Sequence, residues 1–212
     1  MKSTAAEIVR EYGPFPGIES VHGVTHIDDK VWFASGDNLN AINTDSGDIV
    51  QKLQVPAHAG TAFDGKHIFQ IFEEQIQKID PVTGKVLATI PTPEGGAAGM
   101  AWAEGSLWVA QYRRRLIHQV DPDNGKILRT IESNRFVTGV TWVDKELWHG
   151  TWENEESELR QLDPTSGEVI KSLQMPKDTM ISGLESDGKD LFYCGGGNSG
   201  KVRAVRRPSA QA

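Results

Sequence analysis

The residues of this chain with the widest chemical reach are its six histidines, its one cysteine and a run of three arginines. His22 stands directly before Gly23. An imidazole titrates near neutral pH, so in this place it can act as a general base or a metal ligand. Hydrogen-bonded to a neighbouring loop it would instead be structural. His149, inside Trp-His-Gly-Thr-Trp, is a second acid–base candidate unless strand alternation turns it away from its neighbours' face. Tyr112 opens a Tyr-Arg-Arg-Arg run. Its phenol is an acid, and the fork of Arg113 suits a substrate carboxylate, although a solvated turn reads equally well. Phe72, Glu73, Thr138, Trp152 and Ser182 are candidates for binding a substrate beside these groups. His58 and His22 with Glu73 match a metal site by residue type, without local spacing to support it. Cys194 needs a base that the sequence does not place, and a small residue would serve as well there. His26, His67 and His118 fall within or at the ends of alternating stretches and read as structural.

The elements that must position these residues are repeats. Gly23, Gly60, Gly99, Gly139 and Gly183 open similar units, 37, 39, 40 and 44 residues apart. Eight and nine positions on stands an aliphatic–aromatic pair: Val31-Trp32, Ile68-Phe69, Leu107-Trp108, Leu147-Trp148 and, by the same count, Leu191-Phe192. Four units close on a turn: Thr44-Asp45-Ser46-Gly47, then DPVTGK from Asp80, DPDNGK from Asp121 and DPTSGE from Asp163. Between these marks the apolar period is two, as in GVTHI, KVWFAS, NLNAIN and DIVQKLQV, so each unit holds short strands bounded by turn residues. Four strands recurring about every 40 residues is the arithmetic of a propeller blade. The expected fold is therefore all-β: a five-bladed β-propeller, with 1–212 as one domain and blades starting near 23, 60, 99, 139 and 183. The fifth unit lacks an outer strand, and residues 7–12, Glu-Ile-Val-Arg-Glu-Tyr, resemble one, so the N-terminal strand is expected to complete the last blade.

In such a ring the residues just before each first strand and just after each second strand share one face, at the mouth of the central channel. His22 with Thr138 and Ser182 belongs to the first set, and Phe72-Glu73, Tyr112-Arg113, His149 and Trp152 to the second. Trp32, Trp102, Trp108, Trp142 and Trp148 read as packing between blades.

Composition narrows the function. A net charge of -7 argues against a nucleic-acid surface, which needs a basic field. With 38% hydrophobic and 24% charged residues the chain reads as an ordinary soluble globule, without a membrane partner. A lone cysteine makes no internal disulfide, and the charged N-terminus lacks the apolar core of a signal peptide, so a cytoplasmic setting is expected.

With the units aligned, the chain resembles the propeller group that includes the glutamine cyclotransferases and, more distantly, the virginiamycin B lyases. The segment VTWVDKELWHGTWENEESELRQLDPTSGEV is similar to the cyclotransferase pattern at Trp148 and Trp152. VHGVTHIDDKVWFASG resembles the strand pair of the one and the His-Gly opening of the other. The resemblance implies a propeller and, for the first family, glutaminyl cyclisation. It departs where the family's motifs have a glutamate, a glutamine and an asparagine: here stand Phe33-Ala34-Ser35, His22-Gly23 and Thr138-Gly139-Val140. The expectation is an enzyme of lyase, cyclase or isomerase type acting on a small molecule at the channel mouth, with His22, Tyr112 and His149 as catalytic residues. Phe72, Glu73, Arg113, Thr138, Trp152 and Ser182 would bind the substrate. No cofactor is required and a divalent metal is left open. A non-catalytic binding propeller and a glutaminyl-peptide cyclotransferase are the alternatives.

Overall fold

The computed structural model describes residues 2–208, whose regular elements are all β-strands. Two precede the first repeat: β1 (Lys2–Ala5) and β2 (Ile8–Tyr12). The first repeat supplies β3 (Val24–Ile27), β4 (Lys30–Ala34), β5 (Leu39–Asn43) and β6 (Ile49–Leu53), and the second β7 (Thr61–Phe63), β8 (Ile68–Phe72), β9 (Gln75–Ile79) and β10 (Val86–Pro91). The third gives β11 (Met100–Ala103), β12 (Ser106–Gln111), β13 (Leu116–Val120) and β14 (Ile127–Glu132). The fourth follows with β15 (Val137–Val143), β16 (Glu146–Thr151), β17 (Glu158–Leu162) and β18 (Val169–Gln174). The fifth has β19 (Gly183–Ser186), β20 (Leu191–Gly195) and β21 (Val202–Arg206).

Each repeat folds into an antiparallel sheet in sequence order, and β3, β7, β11, β15 and β19 touch one another in turn, with β19 returning to β3. The result is the five-bladed propeller expected from the spacing. The fifth sheet is completed by β2, which lies antiparallel to β21 with Ile8 opposite Val205 and Tyr12 opposite Val202. Strands from near both ends of the described residues, β2 and β21, thus meet in one blade, and the ring closes. Strand β1 adds something the sequence did not announce. It runs parallel to β18, Lys2 opposite Lys171, and makes the fourth sheet five-stranded. Lys-Ser-Thr-Ala has no apolar alternation, so nothing in its pattern marks it as a strand.

The closing turns form for a local reason. Asp80 Oδ1 accepts hydrogen bonds from the backbone N–H of Val82 and Thr83 at 2.9 and 2.8 Å, and Gly84 takes the left-handed φ of +73° that ends the turn. Asp121 and Asp163 make the same turn, and in the first repeat Asn43 takes the aspartate's place, accepting from Asp45 and Ser46.

Register corrects one of the five aliphatic–aromatic pairs. Thr25 faces Trp32 across the first hairpin, Ala62 faces Phe69, Ala101 faces Trp108 and Thr141 faces Trp148, but Glu185 faces Tyr193. The fifth hairpin is one residue longer, so the equivalent pair is Phe192-Tyr193 and not Leu191-Phe192. The aromatic member of each pair then packs on the following blade. Phe69 stacks on Trp102 at 5.6 Å between centroids, Trp108 meets Trp142 at 4.9 Å, Trp148 meets Phe192 at 5.0 Å, and Tyr193 lies parallel to His26 at 5.6 Å. Trp32 shares a buried cluster with Phe63. These contacts hold blade to blade, and they assign the tryptophans to packing as the sequence suggested.

Candidate functional site

The five opening glycines form the narrowest part of the ring. Gly23 N–H donates to Ala59 O of the next blade at 3.1 Å, and Gly60 N–H to Ala98 O at 2.6 Å. A Cβ on Gly23 would lie 2.7 Å from Gly60 Cα, one on Gly60 2.9 Å from Gly99 Cα, and one on Gly99 2.6 Å from Gly139 Cα. On Gly139 it would lie 2.5 Å from the carbonyl carbon of Gly183, and on Gly183 2.9 Å from Gly23 Cα. Backbone meets backbone here, which only glycine allows. This ring divides the axis: the residues just before the glycines lie on one side of it, and the first strands run down the other.

On the first side, His22 is half-buried, and Ser20 Oγ lies 2.9 Å from its Nε2. Burial, with a smaller contribution from nearby His58, lowers its pKa below the usual 6.5, so the ring is neutral at pH 7. His58 is exposed and sits edge-on to half-buried Phe72 at 4.7 Å between centroids. Glu73 is exposed at a left-handed φ of +53°. His22, His58 and Phe72 therefore form one corner of the face. Glu73 does not complete a metal set with the two histidines: among the described residues no group of three or more His, Cys, Asp or Glu is placed to hold a metal ion.

A second corner forms around Tyr112. Its hydroxyl donates to Trp152 O at 2.7 Å, and its ring packs on Phe136 at 4.8 Å between centroids. Arg115 lies over the Phe136 ring and pairs with Glu153 at 2.7 Å. Burial first, and then Glu153, push the Tyr112 phenol above its usual pKa of 10. Tyr112 thus holds this corner together and is a poorer acid than expected. Of the three consecutive arginines, Arg114 donates to Glu94 O, Arg115 is paired, and Arg113 is exposed.

Two expected site residues turn out to be engaged internally, and a third is buried. His149 is fully buried, with Nδ1 3.0 Å from Gly150 O and Nε2 3.4 Å from Ser133 Oγ, and burial lowers its pKa to about 4. It lies beside Arg160 in the β16–β17 register and does not reach the channel mouth. The alternation that sends Trp148 toward Phe192 sends its neighbour the opposite way. Ser182 Oγ donates to Val21 O at 2.6 Å and accepts from Gly197 N–H, joining the fifth blade to the first. Thr138 is buried, and its Oγ1 has no hydrogen-bond partner among the described residues. Cys194 is fully buried with its thiol pushed up to about 12, which excludes a thiolate nucleophile near neutral pH.

Beyond the glycine ring lies a group that a reading confined to the channel mouth misses. Two residues after each glycine stand Thr25, Ala62, Ala101, Thr141 and Glu185, four small side chains and one carboxylate. Glu185 Oε1 accepts from Thr141 Oγ1 and from its neighbour's Ser186 N–H, and Oε2 accepts from Thr25 Oγ1 at 3.2 Å. One residue of the fifth blade thereby ties the fourth blade to the first. Its burial raises the carboxyl pKa to about 7 against these three hydrogen bonds. The signal was present in the sequence as the one charged residue at that repeat position.

No protein-family model matches the chain. No curated protein matches it by sequence. Among solved structures, the Myxococcus xanthus glutaminyl cyclase is similar with a TM-score of 0.80, 15% identity and 97% of each chain covered. The β-propeller domain of Myceliophteria thermophila Cps50 (Swd1) is similar with a TM-score of 0.61 and 9% identity, over 96% of this chain and all of that one. The likenesses establish the fold, and the first agrees with the propeller group that the Trp148–Trp152 segment resembles.

Proposed function

We propose that this propeller is an enzyme acting by acid–base chemistry, of lyase, cyclase or isomerase type, on a small organic molecule bound at the His22 face. The observation that carries the reading is His22 itself: half-buried, neutral at pH 7, held through Nε2 by Ser20, and near His58, which packs edge-on to Phe72. A neutral imidazole fixed at one nitrogen is competent to take a proton from a bound substrate. Arg113 and Trp152 supply a cation and an aromatic surface on the same face, and the small-molecule partner and cytoplasmic setting expected from the sequence go with this reading.

A second reading, a non-catalytic binding propeller, is favoured by the internal engagement of Tyr112, His149 and Ser182. Glutaminyl cyclisation, the activity named for the Myxococcus xanthus structure, is the weakest of the three, because Ala34 stands where the cyclotransferase motif has its glutamate.

Ligand-observed NMR against a library of small carboxylates and amides, followed by turnover assays on each binder, separates these readings. Under the enzyme reading at least one binder is converted, and His22→Asn lowers kcat by about 100-fold or more with little change in Tm. Binders that are never converted, or conversion that His22→Asn leaves intact, would overturn it.

A further inference from the structure

We propose that Ser20 is a nucleophile, paired with His22, that takes an acyl group from an activated carboxylic ester or thioester. The inference rests on His22 as the base of this face and adds a covalent step to it.

The pair is held rigidly. Ser20 and His22 are both half-buried, and Ser20 Oγ lies 2.9 Å from His22 Nε2. Val21 between them is fully buried and bridged to Gly197 in both directions: its N–H donates to Gly197 O at 3.0 Å, and its carbonyl accepts from Gly197 N–H at 2.9 Å. His22 N–H donates to Ala34 O at 2.9 Å. In an extended segment alternate side chains point the same way, so with Val21 turned into the core the hydroxyl and the imidazole are presented together.

Nothing in the blade architecture asks for this pair. Three places and one place before the other opening glycines stand Ala57 and Ala59, Gly96 and Ala98, Phe136 and Thr138, and Met180 and Ser182. The other serine–histidine contact among the described residues, Ser133 with His149, is longer, at 3.4 Å, and buried on both sides. That one cannot meet a substrate.

With the ring proton on Nδ1, Nε2 accepts from the serine hydroxyl, the arrangement that activates a serine. Ser20 Oγ bonds to the acyl carbon as its proton passes to Nε2. The bond from that carbon to the leaving oxygen or sulfur then breaks, and the leaving group carries the proton away. Water repeats the exchange on the acyl-serine, which releases the acid and restores both residues. The surroundings of the ring select the ester. Burial, and then His58, disfavour the imidazolium, and among the described residues no carboxylate offsets them. A poorly stabilised imidazolium suits phenolates and thiolates, which depart readily, and not the amine of an amide.

Mass spectrometry with peptide mapping tests this on protein treated with p-nitrophenyl acetate and, separately, with a fluorophosphonate. The expected result is one acetyl or phosphonyl group on Ser20, absent in Ser20→Ala and formed about 100-fold more slowly in His22→Asn. Adducts elsewhere with none on Ser20, or equally fast labelling of Ser20 in His22→Asn, would overturn the proposal. The mapping is made on the parent protein, so it holds even where a variant does not fold. The two readings of this face fail separately. If a small molecule is converted as fast by Ser20→Ala as by the parent, but not by His22→Asn, the base stands and the nucleophile falls. Labelling of Ser20 that requires His22, with no other conversion of any binder, leaves the nucleophile standing alone.

Discussion

Tyr12 Oη donates to Thr44 O at 3.0 Å, which fastens the N-terminal strand of the fifth blade to the closing turn of the first. Arg10 adds two bonds to the same turn, to Thr44 O and Asp45 O. Strand β2 is therefore held both by its ladder to β21 and by a neighbouring blade. Deleting residues 1–12 should abolish cooperative unfolding, read by circular dichroism against urea, whereas deleting residues 1–5 removes only β1, whose Ser3, Thr4 and Ala5 are exposed, and should leave a single transition. A truncated 13–212 chain that melts within a few degrees of the parent would show that the ring does not need β2.

The glycine ring predicts a sharp contrast between glycines. At Gly60 an added Cβ would lie 2.5 Å from Met100 N, and backbone on both sides leaves it nowhere to go. Gly60→Ala should destabilise by about 3 kcal/mol or more, the size seen when a core is overpacked. Gly65 has a φ of +92° and nothing within 4 Å, so Gly65→Ala should cost only about 1–2 kcal/mol of backbone strain. Equal midpoints for the two variants in urea would contradict the packing described.

Trp108 is fully buried, and its indole N–H has no hydrogen-bond partner among the described residues. Its contribution must therefore come from packing against Trp142 and beneath Arg129. Trp108→Ala should cost about 3–5 kcal/mol, while Trp108→Phe, which also deletes the unpartnered donor, should cost less than about 1.5 kcal/mol. A phenylalanine variant as unstable as the alanine variant would mean that the N–H matters.

Glu185 makes stability depend on pH in an unusual direction. Its carboxyl pKa is about 7 in the fold, against about 4.5 in the unfolded chain, so the folded state holds the proton more tightly. The resulting stabilisation is full below about pH 4.5 and is lost as the pH rises through 7. It amounts to at most about 3 kcal/mol, and to less because the side chain is partly accessible. At constant ionic strength, Glu185→Gln should lack this fall between pH 5 and pH 8. Parallel stability curves for parent and variant would remove Glu185 as its cause.

The pH profile of any activity found should have its acidic limb below pH 6.5, because burial lowers the His22 pKa and the neutral form is the base. A peptide with N-terminal glutamine should give no pyroglutamate above the uncatalysed rate, as Ala34 offers no carboxylate; turnover followed by ammonia release would contradict this.

The ring was legible because its constraints recur. Only glycine fits at Gly23 and its four equivalents, and the aromatic beside each hairpin must reach the next blade, so both leave a periodic mark. What does not recur was harder to read. The extra residue in the fifth hairpin shifted one pair by a position, and β1 is held by its ladder to β18, with Ser3, Thr4 and Ala5 all exposed. The site was legible as a face and less so as residues. His58 packs on Phe72 and lies near His22, but the direction of His149 follows from the parity of β16, and the roles of Tyr112 and Ser182 follow from backbone carbonyls that no side-chain pattern reveals.

Closure of the fifth blade by β2 and β21 has a bearing on how the protein is made. Ile8 pairs with Val205, so β2 stays without its partner until the five repeats that separate the two strands have been synthesised. Four blades can assemble while the chain grows, but the ring is shut only after residues 202–206 have cleared the ribosome. Until then β2 and β21's eventual partner edges are open to neighbouring nascent chains, and yield in the cell will depend on how quickly the final blade is completed.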